Sequence, residues 1–240
     1  MGACLSLLEL AHASVERAVA PGSLVVDATA GNGNDTLFLA GLVGPAGLVL
    51  AFDIQPEALE NTRAALEKAK LTARVRLFLT GHENIVACLP GNTVPPPLGQ
   101  LAASLTAKVP PDPARYLSGT PQVSAAMFNL GFLPGSEKEI ATRPSTTLAA
   151  LIGLLPAMRP GAMLSIHCYS GHDGGKEESK AVLEWAARQP ATCWRVYRYA
   201  TWNKNRGAED LILMERLKQV KKLNSESPDT RRNTNPGQKT

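Results

Sequence analysis

The sequence predicts an α/β fold, with one mostly parallel sheet and helices on both faces. Three observations predict it. Short apolar runs rich in Val, Leu and Ile alternate with segments of helical spacing. The first of these runs ends in an acid and turns through two glycines into a helix, Val25-Val26-Asp27-Ala28-Thr29-Ala30-Gly31-Asn32-Gly33-Asn34-Asp35-Thr36. The strand-like runs number seven, a count that 240 residues can hold in one domain. Helical crossovers make neighbouring strands parallel and cover both faces of their sheet.

Element by element, Leu5, Leu8, Ala11, Val15 and Ala18 recur near helical spacing, so an N-terminal helix is expected. It carries Glu9 and Glu16 with no basic stretch before it, which argues against a targeting peptide. Gly2 followed by Ser6 fits the loose N-myristoylation pattern, but a packed helix without a polybasic partner is the plainer reading. Leu24–Asp27 reads as strand one, 35–42 as the helix after the glycine loop, and Leu48–Asp53 as strand two. Pro56 opens a helix over 57–70, and 74–79 is strand three, ending at Thr80-Gly81-His82-Glu83. From 89 to 123 eight prolines dissolve the pattern. That insertion is expected to be a poorly ordered surface segment or a lid facing substrate.

Strand four is expected at 124–129, then a helix over 145–158 that stops before Arg159-Pro160-Gly161, then strand five at 162–169. A helix over 176–188 and strands at 194–200 and 211–215, joined by a hairpin-like TWNKNRGAED, complete a domain of residues 1–217. Residues 218–240 are polar, basic and rich in Ser, Asn and Pro, and read as a disordered tail.

Composition narrows the function classes. Hydrophobic residues at 44% and charged residues at 19% describe an ordinary globular chain, and no apolar run approaches the roughly 20 residues of a membrane helix. Cys4, Cys88, Cys168 and Cys193 stand singly with no CxxC pair, which suits a reducing compartment, the cytoplasm or an organelle. His12, His82, His167 and His172 are equally unclustered, so no metal is expected. The net charge is +4, yet residues 216–240 alone carry +5 and the rest about −1. A near-neutral body is no broad cationic clamp for nucleic acid, although RNA stays open as a substrate.

The glycine loop is the strongest single feature. Glycines let the backbone approach a ligand closely, and the N–H groups at the helix start receive a polar or anionic group. Asp53, twenty residues after Gly33, ends the next strand, where a carboxylate can accept from a ribose diol. A dinucleotide fingerprint wants Gly or Ala where Thr36 stands, and a pyrophosphate would be repelled by Asp27. S-adenosylmethionine carries an ammonium group that suits Asp27 and is the cofactor expected. A nicotinamide cofactor and a purely structural loop are the alternatives.

Taken together, DATAGNGNDTLFLA, AFDIQPEAL, TGHEN, AMFNLGFLPGSEKEIATRPSTTLAAL and HCYSGHDGGKEE resemble a family of small class I methyltransferases. These were grouped as ribosomal RNA methylases and are now assigned as tRNA 5-aminomethyl-2-thiouridine methyltransferases of the wobble position. The resemblance covers roughly residues 10–215, apart from the proline-rich insertion, which is longer than the family leads one to expect. It implies a Rossmann-like fold with the last strand inserted antiparallel. Of the acid followed by glycines at +2, +4 and +6 that class I enzymes carry, Asp27, Gly31 and Gly33 match and Thr29 does not. It further implies Asn32, Asn34 and Asp35 around the methionine moiety, Asp53 on the ribose, Gln55 beside the adenosine, and Gly81, His82 and Glu83 near the adenine. Asn129 is implied at the transferable methyl group, with Tyr169 and His172 lining the same mouth. NLGF shares only its Asn and aromatic with the NPPY-type motif of amine-modifying methyltransferases.

Each assignment has a plainer structural counterpart. Asp35 could simply cap the following helix, His82 could be a satisfied turn histidine, and Asn129 could bond its turn backbone. The SGHDGG loop could serve only to enter a helix, and His167, flanked by strand residues, reads as core. An amine acceptor must lose a proton before attack, and Asp35, His82 and His172 are all candidates to take it. For the expected tRNA partner, in its anticodon region, Lys138, Arg143, Arg195, Arg198, Lys204 and Arg206 could meet phosphates. Phe132, Tyr169 and Trp202 could stack on an unpaired base. The basic tail could hold RNA loosely, and a homodimer is compatible with the chain.

Overall fold

The computed structural model describes residues 4–90, 122–131, 141–171, 173–203 and 209–218. Among them are seven strands: β1 (Leu24–Asp27), β2 (Leu48–Asp53), β3 (Val75–Leu79), β4 (Val123–Leu130), β5 (Met158–Tyr169), β6 (Trp194–Ala200) and β7 (Glu209–Arg216). They form one sheet in the order β3-β2-β1-β4-β5-β7-β6. The first five are joined by parallel pairings, and β7 lies antiparallel between β5 and β6. The helices described are α1 (Leu7–Glu16), α2 (Asn34–Val43), α3 (Pro56–Ala69), α4 (Ile85–Cys88), α5 (Pro144–Leu154) and α6 (Gly175–Ala187).

Local chemistry accounts for several boundaries. At α1 a capping box closes the first turn: Glu9 N–H donates to Ser6 Oγ at 3.2 Å, and Ser6 N–H donates to Glu9 Oε2 at 2.7 Å. Pro56 supplies the first position of α3, where its missing N–H costs nothing. All four residues of β1 are buried, as a strand covered on both faces requires. Leu24 and Val26 join Phe52, Phe128, Leu151 and Trp194 in one core. Val25 points the other way, into a second core with Leu39, Val49, Met127 and the α1 residues Ala11 and Val15.

The structure departs from the sequence expectations in instructive places. On α1 the buried residues are Ala11 and Val15, while Leu8 stands 39% exposed and Leu5, which precedes the helix, 62%. The helix expected over 145–158 ends at Leu154 in a short 3-10 turn around Pro156, and β5 starts at Met158. Arg159-Pro160-Gly161 is therefore not a turn before the strand but an irregularity inside it. Met158 pairs with Val123 and Met163 with Ala125, so β5 carries extra residues there. The insertion is narrower than 89–123, because Leu89 and Val123 are core residues and α4 precedes them. Residues 91–121, and the tail beyond 218, lie outside the described residues.

Candidate active site

Strand order reverses between β1, which leads outward to β2 and β3, and β4, which leads to β5. In open α/β sheets ligands bind at such a switch point, beyond the carboxyl ends of the strands. The glycine loop stands there, stitched to its neighbours: Ala28 N–H donates to Met127 O at 2.9 Å and Ala30 N–H to Phe52 O at 2.8 Å. Gly31 and Gly33 take positive φ, 53° and 83°. A Cβ on Gly33 would meet Thr62 Cα of α3 at 3.0 Å, so only glycine lets the loop sit this close to the helix. Thr62 Oγ1 in turn donates to Gly31 O at 3.0 Å.

Asp53 ends β2 and orders both loops beside it. Its Oδ2 accepts from Gly31 N–H and its Oδ1 from Gln55 N–H, each at 2.9 Å. The side chain is half-buried, and each oxygen can accept a further hydrogen bond. Asn32 and Asn34 are exposed at the start of α2, with Asn61 donating to Asn32 at 3.0 Å.

Asp27 is placed otherwise than the sequence led one to expect. It is fully enclosed beneath the loop, with Oδ1 accepting from Thr29 N–H at 3.1 Å and Oδ2 from the Thr36 hydroxyl at 2.6 Å. Burial, and then the neighbouring Asp35 charge, push its carboxyl up to about 7. It shapes the loop from inside and reaches no ligand surface in this conformation.

Asp35 joins a residue predicted from the glycine loop to one predicted from β4. It is no helix cap; Gly33 holds that position, and Asp35 turns inward from the first turn of α2. Asn129 Nδ2 donates to its Oδ2, and His12 Nε2 lies 2.7 Å from its Oδ1. The Asn129 backbone N–H is held as well, by Thr29 Oγ1 at 2.8 Å. His12 stacks on Phe38, ring centroids 3.9 Å apart, with its side chain 27% exposed. Sequence reasoning missed His12, which is 23 residues from Asp35. The one available signal was its place beside Ala11 on a helix with a buried face.

Asn129 stands opposite His167 in the β4–β5 register. His167 is buried, and burial lowers its pKa. Its Nε2 lies 3.2 Å from Glu209 Oε2, and Tyr169 Oη lies 3.2 Å from its Nδ1, with the two rings stacked at 4.3 Å. Tyr169 is 37% exposed, and desolvation raises its phenol to about 12. So His167 is core, as expected, and also the support under Tyr169.

His82 is buried too, its ring 5.7 Å from Phe128 and its Nε2 3.3 Å from Thr147 Oγ1; burial lowers its pKa. Glu83 is half-buried, and its carboxylate fills the space a Cβ on Gly81 would take. His172, Phe132, Lys138, Lys204 and Arg206 lie outside the described residues. Of the other proposed RNA contacts, Arg198 donates to Asp210 at 2.7 Å and Arg195 to Glu215 at 3.3 Å, while Arg143 and Trp202 are exposed. Among the described residues no three His, Cys, Asp or Glu are grouped to hold a metal, and no helix is long and apolar enough to cross a membrane.

A family profile described as "Putative rRNA methylase" matches residues 49–96 and 111–215. A "putative rRNA-methylase" from Clostridium thermocellum is 32% identical, covered over 90% of this chain and 100% of its own, with a TM-score of 0.73. The chain belongs to this family. Another structure, a "putative methyltransferase" from Streptococcus mutans in complex with SAH, is 30% identical over 89% of this chain and 99% of its own, with a TM-score of 0.69. The tRNA (mnm(5)s(2)U34)-methyltransferase of Arabidopsis thaliana chloroplasts is 33% identical over 204 residues, 82% of this chain. The chain spans 64% of the length of that relative. With these likenesses, the seven-stranded sheet and its glycine loop have the Rossmann-like architecture of class I methyltransferases.

Proposed function

We propose that the chain transfers a methyl group from S-adenosylmethionine to the exocyclic amine of 5-aminomethyl-2-thiouridine at the tRNA wobble position. The observation that carries this reading is the bond from Asn129 Nδ2 to Asp35. A carboxylate only accepts, so Asn129 must turn its NH2 to Asp35, which leaves its Oδ1 free to accept an N–H. An amine held by one N–H on that oxygen keeps its lone pair for attack. The tRNA methyltransferase of Arabidopsis chloroplasts supports an amine of this kind as the acceptor.

The residues present suit the cofactor. Exposed Asn32 and Asn34 at the α2 N-terminus are the groups to hold the amino-acid end, and the remaining acceptor capacity of the half-buried Asp53 carboxylate suits a ribose diol. Gly31 and Gly33 keep that floor free of side chains. When bound, S-adenosylmethionine supplies a methyl group already activated on its sulfonium, so this chain's work is orientation and exclusion of water.

An alkyl amine is largely protonated near neutral pH and must shed a proton. Of the three candidates, His82 is buried against Phe128 and Thr147, and His172 is outside the described residues. Asp35 adjoins Asn129 and continues through His12 toward solvent, so the Asp35–His12 pair is our assignment for accepting and relaying that proton. Single, unpaired cysteines suit the cytoplasm or an organelle as its place of work.

Nucleoside mass spectrometry tests the proposal, using tRNA that carries 5-aminomethyl-2-thiouridine and isotope-labelled S-adenosylmethionine. A labelled methyl on that nucleoside, lost in Asp53→Ala, is the expected result. Intact cofactor binding by calorimetry with no transfer to this nucleoside would overturn the substrate while leaving the methyltransferase reading.

A further inference from the structure

Glu178, in the first turn of α6, is a carboxylate buried to 1% exposure that the reaction above does not use. Such burial requires donors, and two arrive. Thr142 Oγ1 donates to Oε2 at 2.5 Å and Thr147 Oγ1 to Oε1 at 2.6 Å. The helix start favours negative charge at the same spot.

Each hydroxyl belongs to a different flank of the mouth. Thr142 N–H donates to Gly131 O at 2.9 Å, so Thr142 is bonded to the residue that follows β4, two after Asn129. Thr147 Oγ1 lies 3.3 Å from His82 Nε2, on the turn that follows β3. One carboxylate on a third element therefore ties the acceptor flank to the cofactor flank.

We propose that Glu178 is a positioning residue, setting Asn129 through Thr142 and His82 through Thr147, one oxygen for each. The kinetic part of its test rests on the methyl-transfer reading above; the spectroscopic part does not.

The experiment compares the wild-type chain with Glu178→Ala, Glu178→Gln, Thr142→Val and Thr147→Val. Glu178→Ala should lower kcat/KM for the tRNA roughly tenfold or more, the scale of a lost buried charged acceptor. Glu178→Gln, which keeps one oxygen acceptor, should fall between it and wild type. By NMR, Thr142→Val should shift the Asn129 side-chain amide and spare His82, with S-adenosylmethionine affinity within about twofold of wild type. Thr147→Val should do the reverse, shifting the His82 imidazole and sparing Asn129. If both valine variants leave both resonances in place, even with a lower Tm, Glu178 is only a scaffold and the proposal falls. A wild-type chain that methylates no such tRNA sinks the substrate reading, and the resonances still decide this one. Should Glu178→Ala not fold, the valine variants, each removing a single hydroxyl, decide it alone.

Discussion

The two flanks of the switch point are held together by different kinds of bond. On the cofactor flank, β1 and β2 end in acids that accept mainly from backbone N–H groups: Asp27 from Thr29, and Asp53 from Gln55 and from Gly31 of the glycine loop. On the acceptor flank side chain meets side chain across long separations, Asn129 with Asp35 and Thr142 with Glu178. A main-chain donor is present at almost any residue type, whereas a side-chain pair needs two particular residues. The cofactor flank should tolerate exchange around its two acids, and the acceptor flank should lose function one side chain at a time.

The largest effect is expected where one carboxylate orders two loops. Asp53→Ala should weaken S-adenosylmethionine binding by about 100-fold or more in calorimetry, since it removes two loop anchors and the acceptor proposed for a ribose. Asn129→Ala should separate the flanks cleanly. Turnover should fall by about 100-fold from lost orientation, while cofactor affinity stays within about twofold. A comparable loss of cofactor affinity in Asn129→Ala would erase the distinction between the flanks.

Gly33→Ala comes next and reads out in stability. Its φ of 83° and the Thr62 backbone 3.0 Å from the added Cβ should cost about 1–3 kcal/mol, seen as a lower thermal midpoint. The fourth prediction is a pH dependence. Asp27 titrates at about 7 in the folded chain against 3.8 as a free side chain. Because the folded value is raised, its contribution is full below about pH 4 and is lost as pH rises through about 7. The Tm difference between wild type and Asp27→Asn should therefore move in favour of the Asn variant from pH 5 to pH 8. A constant difference would mean that Asp27 stays charged throughout. The smallest effect belongs to Tyr169→Phe, which removes one hydroxyl contact to His167 at 3.2 Å. It should cost about 1 kcal/mol or less and change turnover only a few-fold.

This contrast also explains what was legible in the sequence. The strands, the glycine loop and Asp53 announce themselves through local pattern: apolar runs, two glycines, an acid at a strand end. Asn129 and Asp35 were each singled out, but nothing in their spacing told that they touch, and Asp35 was placed at the methionine moiety, with a helix cap as its plainer reading. Glu178 carried no local signal, and His12 only its place beside Ala11, since a lone histidine on a helix and a glutamate in a first turn are ordinary surface residues. Their burial depends on which face of which helix the tertiary packing covers. Arg159-Pro160-Gly161 was a real break in the pattern assigned to the wrong event. Gly161, at φ 79°, serves an irregularity inside β5, and Arg159 uses the kink to reach Ser124 at 2.9 Å and Ala18 O at 2.5 Å.

The antiparallel insertion of β7 bears on the order in which the chain can be assembled. β7 follows β6 in sequence, yet lies between β5 and β6 and bonds to both. During synthesis β5 and β6 leave the ribosome with facing edges and no partner between them. The sheet stays open on that side until residues 209–216 emerge. The second core, where Ala11 and Val15 of α1 meet Leu211 and Leu213 of β7, closes only then. Translation that pauses before that point leaves unpaired strand edges exposed, the usual start of edge-to-edge association between nascent chains.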